Sequence, residues 1–295
     1  MATSTMQIGK LGVWYFFDQY PAALAADHTK RIEALGYDTL WIPETVGRNP
    51  MVLASWLLAN TRNLKIATGI ANIYHREPGV TVCSQKALAE QSDNRFLLGI
   101  GVSHKPLVEG VRGLRYGPPV ATMSDYLDKM EQAPYQGIPP SEDPPTVIAA
   151  LGPKMLELAR EKCTGAHPYF VSPEHTAMAR KKLGPDKWLC VEQKVVLETD
   201  ADTARAAARG VAQIYLGLPN YRNNWLRMGF TASDLENGGS DAFIDATFAW
   251  GGVDTINARL QAHFDAGADH VCIQPVNPNG QFGDLHWEAL EALVP

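Results

Sequence analysis

Residues 64–101 constrain this chain more tightly than any other stretch. LKIATGI is a short apolar run rich in β-branched residues, interrupted by Gly69 where it should pass into a loop. ANIYHREPG is polar and aromatic and carries a proline and a glycine. VTVCSQKALAEQS then reads as a helix, with Val80, Cys83, Ala87 and Leu88 on one face, and RFLLGIG is a second fully apolar run ending in glycine. Strands apolar on both faces imply a parallel sheet covered by helices. The loop leaving the carboxyl end of such a strand is where these folds place their chemistry.

The same unit recurs on both sides. Strands are expected at 8–14, 38–42, 64–70, 95–101, 146–151, 165–170, 189–197 and 269–275, and seven of the eight precede a credible helix. Pro21, Pro50 and Pro153 sit where a helix should begin, a position that tolerates the missing N–H. Eight such units spell an α/β fold, a (β/α)8 TIM barrel, as one domain over 1–295. The weak link among them is the sixth, 165–170. Two stretches break the rhythm. Residues 102–123 are too long for an ordinary βα connection, and the helix after them is expected at 123–133 with Ser124 as its cap. Residues 218–252 are irregular, hold only small helices in prospect, and form a second insertion near the C-terminal end.

Composition narrows the function. The net charge of −6 and the lack of a basic block argue against nucleic acid. No apolar run reaches membrane-spanning length, and MATSTMQ lacks the parts of a signal peptide, so the cytoplasm is expected. Cys83, Cys163, Cys190 and Cys272 lie in or beside apolar segments without C-x-x-C spacing and read as buried reduced thiols. No metal site is expected. The eight histidines are dispersed, and His175 and His263 fall on outer helices. There is no G-x-S-x-G elbow, and GIGVSH lacks the third glycine of a dinucleotide fingerprint.

Four features carry candidate chemistry. Glu44 follows an apolar strand, in the slot where barrels place active groups; its plainer reading is a solvated loop acid. Asn72, His75 and Arg76 follow Gly69 and gather amide, imidazole and guanidinium near one mouth, although a single histidine is more often structural. Gly101, Ser103 and His104 end the fourth strand, where small residues allow a ligand near the backbone. Gly152, Pro153 and Lys154 open a helix whose N–H groups can hold an anion, with Gly165, Ala166 and His167 on the next strand end; alternatively Gly152-Pro153 is only a turn.

Taken together, EALGYDTLWIPE (33–44), ATGIANIYHREPG (67–79), NRFLLGIGVSH (94–104), ALGPKMLELA (150–159) and AGADHVCIQ (266–274) resemble the bacterial luciferase-like monooxygenase superfamily. Within it the chain looks most like the actinobacterial oxidoreductases that use the deazaflavin coenzyme F420. The resemblance spans nearly the whole chain and implies a role for each motif. Gly69-Ile70 would be a non-prolyl cis peptide behind the coenzyme's central ring, with Glu44 and Asn72 at the ring edge or polar chain. Gly101 and Ser103 would pass the ribityl-like chain, while Gly152, Pro153, Lys154, Gly165, Ala166 and His167 form the phosphate end. Trp14 and His104 would face the substrate, with His104 the proton donor or acceptor and His75 a second candidate, so that His104, His75, Trp14 and Glu44 make up the catalytic set.

The implied reaction is hydride transfer between the deazaflavin and an organic small molecule, partly apolar by the aromatic mouth. FMN in the same cleft would make the chain a flavin-dependent monooxygenase instead. The 102–123 loop lacks the acidic pair of the group's sugar-phosphate dehydrogenases, which speaks against that substrate. A homodimer is implied through early helices, with Trp56 and Leu57 on its face. A non-catalytic barrel is the remaining alternative, and it would place Tyr215, Tyr221, Trp225 and Phe230 in a protein contact.

Overall fold

The computed structural model describes residues 6–281 and 283–295. Its strands are β1 (Leu11–Trp14), β2 (Thr39–Ile42), β3 (Lys65–Thr68), β4 (Ala71–Asn72), β5 (Phe96–Gly101), β6 (Thr146–Ile148), β7 (Gly165–Ala166), β8 (Trp188–Leu197), β9 (Phe248–Gly251) and β10 (His270–Pro275). All their ladders are parallel. Pairing runs β1-β2-β3-β5-β6-β7-β8, and β10 closes the ring between β8 and β1. This is the expected eight-stranded barrel.

Alternation along the strands explains why they read as unbroken apolar runs. Trp14, Trp41, Ala67, Leu97, Val147, Cys190 and Cys272 belong to one cluster, which fills the interior. Their chain neighbours, among them Val13, Leu40, Ile66, Phe96, Ile148, Leu189 and Ile273, belong to the layer between barrel and helices. Both faces are buried, as a parallel sheet under helices requires.

The helices are α1 (Ala22–Ala34), α2 (Pro50–Ala59), α3 (Pro78–Gln91), α4 (Pro119–Gln132), α5 (Pro153–Lys162), α6 (Pro173–Leu183), α7 (Ala201–Leu216), α8 (Pro219–Arg227), α9 (Asp241–Thr247), α10 (Val253–Asp265) and α11 (Trp287–Ala292). Proline opens α2 to α6 and α8, where its absent N–H leaves no orphan donor.

Several expectations are corrected. The inner face of α3 carries Thr81, Val82, Gln85, Leu88 and Ala89, while Val80 and Cys83 are exposed. The buried polar pair is satisfied locally. Thr81 meets the Tyr126 hydroxyl, and the Gln85 amide donates to the carbonyls of Pro144 and Pro145. Helix α4 starts at Pro119, so Ser124 is interior to it and accepts from Lys162 Nζ at 2.9 Å. His175 and His263 do lie on the outer helices α6 and α10, with their rings fully buried. His175 donates through Nε2 to the Leu151 carbonyl, and His263 lies between Thr176 and Gln193. Leu57 is core, although Trp56 beside it is exposed.

The segment 218–252 contains a strand as well as small helices. Strand β7 is only two residues long and pairs with Trp188 and Leu189 at the start of β8. Lys194 and Val195 have partners in both β9 and β10, so β9 occupies the β8 edge opposite β10. That is the edge β7 uses lower down. Strand β9 thus completes a wall that the sixth barrel strand leaves short.

Candidate functional site

The carboxyl ends of β2 and β3 meet around Glu44. Its Oε1 accepts from Arg76 Nη2 at 2.5 Å and its Oε2 from Arg76 Nη1 at 2.9 Å and from the Asn72 amide at 2.6 Å. Asn72 Nδ2 lies 3.0 Å from His75 Nε2, which leaves Nδ1–H to face Glu44 Oε1 at 3.1 Å. Burial alone raises the Glu44 pKa, but the Arg76 charge and hydrogen bonds, the Asn72 amide and His75 together hold it below the usual carboxylate value. Glu44 is therefore an ionised buttress for the loop 70–76. Both nitrogens of His75 are engaged, so this ring braces Glu44 and presents no free nitrogen to a substrate. Glu44 and His75 are thus engaged with each other and with Asn72 and Arg76.

Next to this buttress lies the Gly69–Ile70 peptide, which is cis. Trp14 is buried and donates its indole N–H to the Gly69 carbonyl at 2.8 Å. A Cβ on Gly69 would stand 2.7 Å from Trp14 Nε1 and 3.3 Å from His167 Nε2, so only glycine fits. A Cβ on Gly101 would stand 2.7 Å from Ile70 Cδ1. This glycine makes room for Ile70.

His167 points into the barrel below Gly69. Its ring stacks on Trp41 at 4.3 Å, and Nδ1 donates to the Cys190 carbonyl at 2.8 Å. Nε2 is buried without a partner among the described residues, and burial, only partly opposed by the Cys190 bond, lowers the pKa to about 4. His167 is therefore neutral and turned to the bulge, not to a phosphate. Gly165 lies in the barrel wall, where a Cβ would meet the Trp188 carbonyl at 2.1 Å, and Ala166 belongs to the outer apolar layer. The expected phosphate end shrinks to Gly152, Pro153 and Lys154.

That end gains a residue the sequence did not mark. A Cβ on Gly152 would have the Arg227 guanidinium as nearest neighbour, 3.8 to 4.0 Å away. Arg227 ends α8, and its Nη1 donates to Asn224 Oδ1 at 3.0 Å. The first turn of α5, without a side-chain cap, thus faces a guanidinium across open space, while Lys154 is exposed. Amide N–H groups, a helix dipole and a planar cation are the donor set that holds a phosphate.

The 102–118 loop and α8 meet over the mouth. Ser103 has a φ of 55°, and its carbonyl accepts from the Tyr116 hydroxyl at 3.4 Å. His104 Nδ1 lies 3.0 Å from Asn220 Oδ1, so Nδ1–H donates and Nε2 keeps its lone pair; its ring leans on Tyr221 at 5.6 Å. Burial lowers the His104 pKa, with the Asn220 bond opposing. Tyr215, Tyr221 and Trp225 are buried in the cluster continuous with the barrel interior, so they are not a surface for a partner protein. Asn220, like Arg227, has no motif around it that would have marked it.

The profile of the luciferase-like monooxygenase family matches residues 10–270. The chain is 26% identical, over an alignment of 309 positions, to the 5,10-methylenetetrahydromethanopterin reductase of Methanolobus tindarius, covering 90% of this chain and 94% of that protein. Among solved structures, the coenzyme F420-dependent tetrahydromethanopterin reductase of Methanopyrus kandleri superimposes with a TM-score of 0.74 at 20% identity, covering 97% of each chain. The oxygenating constituent of 3,6-diketocamphane monooxygenase from Pseudomonas putida, solved with FMN, gives 0.71 at 16% identity over 97% of this chain and 96% of that one. The chain belongs to the luciferase-like monooxygenase family.

Proposed function

We propose that the chain is an oxidoreductase that transfers hydride between the deazaflavin coenzyme F420 and an organic small molecule. The observation that supports this reading best is the anion cradle between Gly152 and Arg227, on the same barrel face as the Trp14–Gly69 floor. One end fits a phosphate and the other a flat ring system, and both coenzymes of the family have these two parts. The curated relatives named for coenzyme F420 or for the methanopterin reductase favour the deazaflavin. The FMN-bound neighbour favours the flavin-dependent monooxygenase as the second reading.

When bound, the coenzyme supplies the hydride chemistry. The protein supplies the rest. The backbone amides of Gly152 and Lys154 and the Arg227 guanidinium would hold the phosphate at the helix start set by Pro153, with Lys154 adding charge. Trp14, Gly69 and Ile70 would set the ring's height above the barrel, and Glu44 would keep the loop through Asn72 in place. His104, neutral and donating through Nδ1 to Asn220, has Nε2 free to take a proton from a substrate hydroxyl or, in the reverse direction, to return it. The aromatic surroundings of that nitrogen suit a partly apolar substrate. We further propose a homodimer through the outer face of α2, where Val52 and Trp56 are exposed.

Parallel titrations of the purified protein with coenzyme F420 and with FMN test the reading. Micromolar or tighter binding of the deazaflavin is expected. Tight binding of FMN alone, with oxygen uptake when reduced flavin is supplied, would overturn the dehydrogenase reading in favour of the monooxygenase. Binding of neither would overturn both.

A further inference from the structure

Strand β8 sends two charged side chains into the barrel. Glu192 and Lys194 are two residues apart, so they share the inward face, and both are fully buried. Lys194 Nζ lies 3.0 and 3.2 Å from the two Glu192 oxygens. An isolated buried pair of this kind often stabilises no better than apolar residues of the same volume. The rest of the interior cluster shows that this barrel fills with apolar side chains readily. The pair does two things that apolar residues could not. Glu192 Oε2 accepts the Phe170 amide at 2.9 Å, and Phe170 sits at a φ of 59°, outside any ladder. Lys194 Nζ stands over the ring faces of Tyr169 at 3.7 Å and Phe170 at 4.1 Å, where a cation is attracted to the π face.

Tyr169 is thereby fixed from three sides. Its hydroxyl donates to Gln274 Oε1 at 2.7 Å and accepts from Tyr215 at 2.6 Å, while Lys194 holds the ring. The same ring meets Trp14 at 4.9 Å between centroids, and Trp14 donates to the Gly69 carbonyl. We propose that Glu192 and Lys194 are a positioning pair, which sets the Tyr169–Phe170 turn, through it Trp14, and so the height of the Gly69–Ile70 floor. The inference rests on the mouth being a coenzyme cleft.

The test compares the wild type with Glu192→Met/Lys194→Met, which removes the pair at similar volume, and Glu192→Gln/Lys194→Met, which restores an acceptor for the Phe170 amide. Three quantities are read: the thermal midpoint, hydrogen exchange of the Trp14 indole N–H (assigned by Trp14→Phe), and the dissociation constants of coenzyme F420 and FMN. The double methionine variant should stay folded within about 4 °C of the wild type. Its indole should exchange at least about tenfold faster, and the bound coenzyme should weaken by about ten- to a hundredfold, as expected for a displaced positioning group. The glutamine variant should recover only the part carried by the Phe170 amide, with the Lys194 share over the Tyr169 ring still lost. A folded double methionine variant with wild-type indole exchange or wild-type affinity would overturn the proposal. If that variant does not fold, Tyr169→Leu breaks the relay with the pair intact and should loosen the indole in the same way; an unchanged indole would overturn the inference. If the wild type itself binds neither coenzyme, the functional reading fails, while the indole exchange still decides whether the pair sets Trp14.

Discussion

Arg76 meets the Glu44 carboxylate with both terminal nitrogens, at 2.5 and 2.9 Å, in a setting where both side chains are less than a tenth exposed. The two residues come from different strand ends, and their pairing closes the loop that carries Asn72 and His75 against β2. Removing Arg76 would leave a buried carboxylate without its counterion. Arg76→Met should therefore cost about 3–5 kcal/mol of stability, read as a fall in the urea midpoint. Glu44→Gln, which keeps an acceptor for the Asn72 amide, should cost less. Equal losses from the two substitutions would show that the carboxylate charge is not what matters.

Arg227 should count for more than Lys154 in coenzyme binding. Both side chains are exposed, but the Arg227 guanidinium is the nearest group to the Gly152 position at the start of α5. Arg227→Met should weaken binding by about ten- to a hundredfold, the worth of a hydrogen bond to a charged group, and Lys154→Met by a few-fold at most. Titrations at two salt concentrations check this, because the Arg227 share should shrink as salt rises. A larger effect of Lys154 would move the phosphate away from α8.

His104 should act on turnover rather than on coenzyme affinity. Replacing it by phenylalanine should lower kcat by about 10²–10⁴ and leave the coenzyme dissociation constant close to wild type. In the direction in which Nε2 takes the proton, the imidazole must be neutral. Because burial lowers its pKa, the acid limb of the rate profile should lie below the ordinary histidine value of 6.5. Asn220→Ala removes the acceptor that fixes the tautomer and should move that limb. A pH profile indifferent to both substitutions would remove His104 from the reaction.

Acid should destabilise the fold through its buried histidines. Burial holds His167, His175 and His270 at about 4 and His263 at about 3, against 6.5 for the free ring. Below 6.5 the unfolded chain takes up protons that the folded one refuses, so stability falls as pH drops from there toward 4. The slope is at most about 1.4 kcal/mol per pH unit for each histidine. Glu44, with its lowered value, adds a loss only further down. Urea midpoints between about pH 7 and pH 5 read this slope; a flat response would mean that these rings are protonated or solvated in the native state.

The barrel was legible because burial on both faces leaves its mark in LKIATGI and RFLLGIG, which no half-exposed strand would show. The α3 face was misread because Thr81 and Gln85 are buried polar groups serving a hydroxyl and proline-flanked carbonyls, and hydrophobicity does not report such debts. His175 and His263 escaped for the same reason. Asn72, His75 and Arg76 were gathered near one mouth and Glu44 at a strand end, yet the sequence could not tell that the four satisfy one another. Arg227 and Asn220 were invisible, since they reach the mouth only through the path of α8.

The wall completed by β9 bears on how this barrel can change. The stretch that closes the β7–β8 gap belongs to the same insertion that brings Asn220 and Arg227 over the mouth. A chain that exchanged this insertion for another would have to replace a structural stave along with the contacts that meet a ligand. Variation of substrate in this branch should therefore proceed by single substitutions within the insertion, with its length and its strand kept.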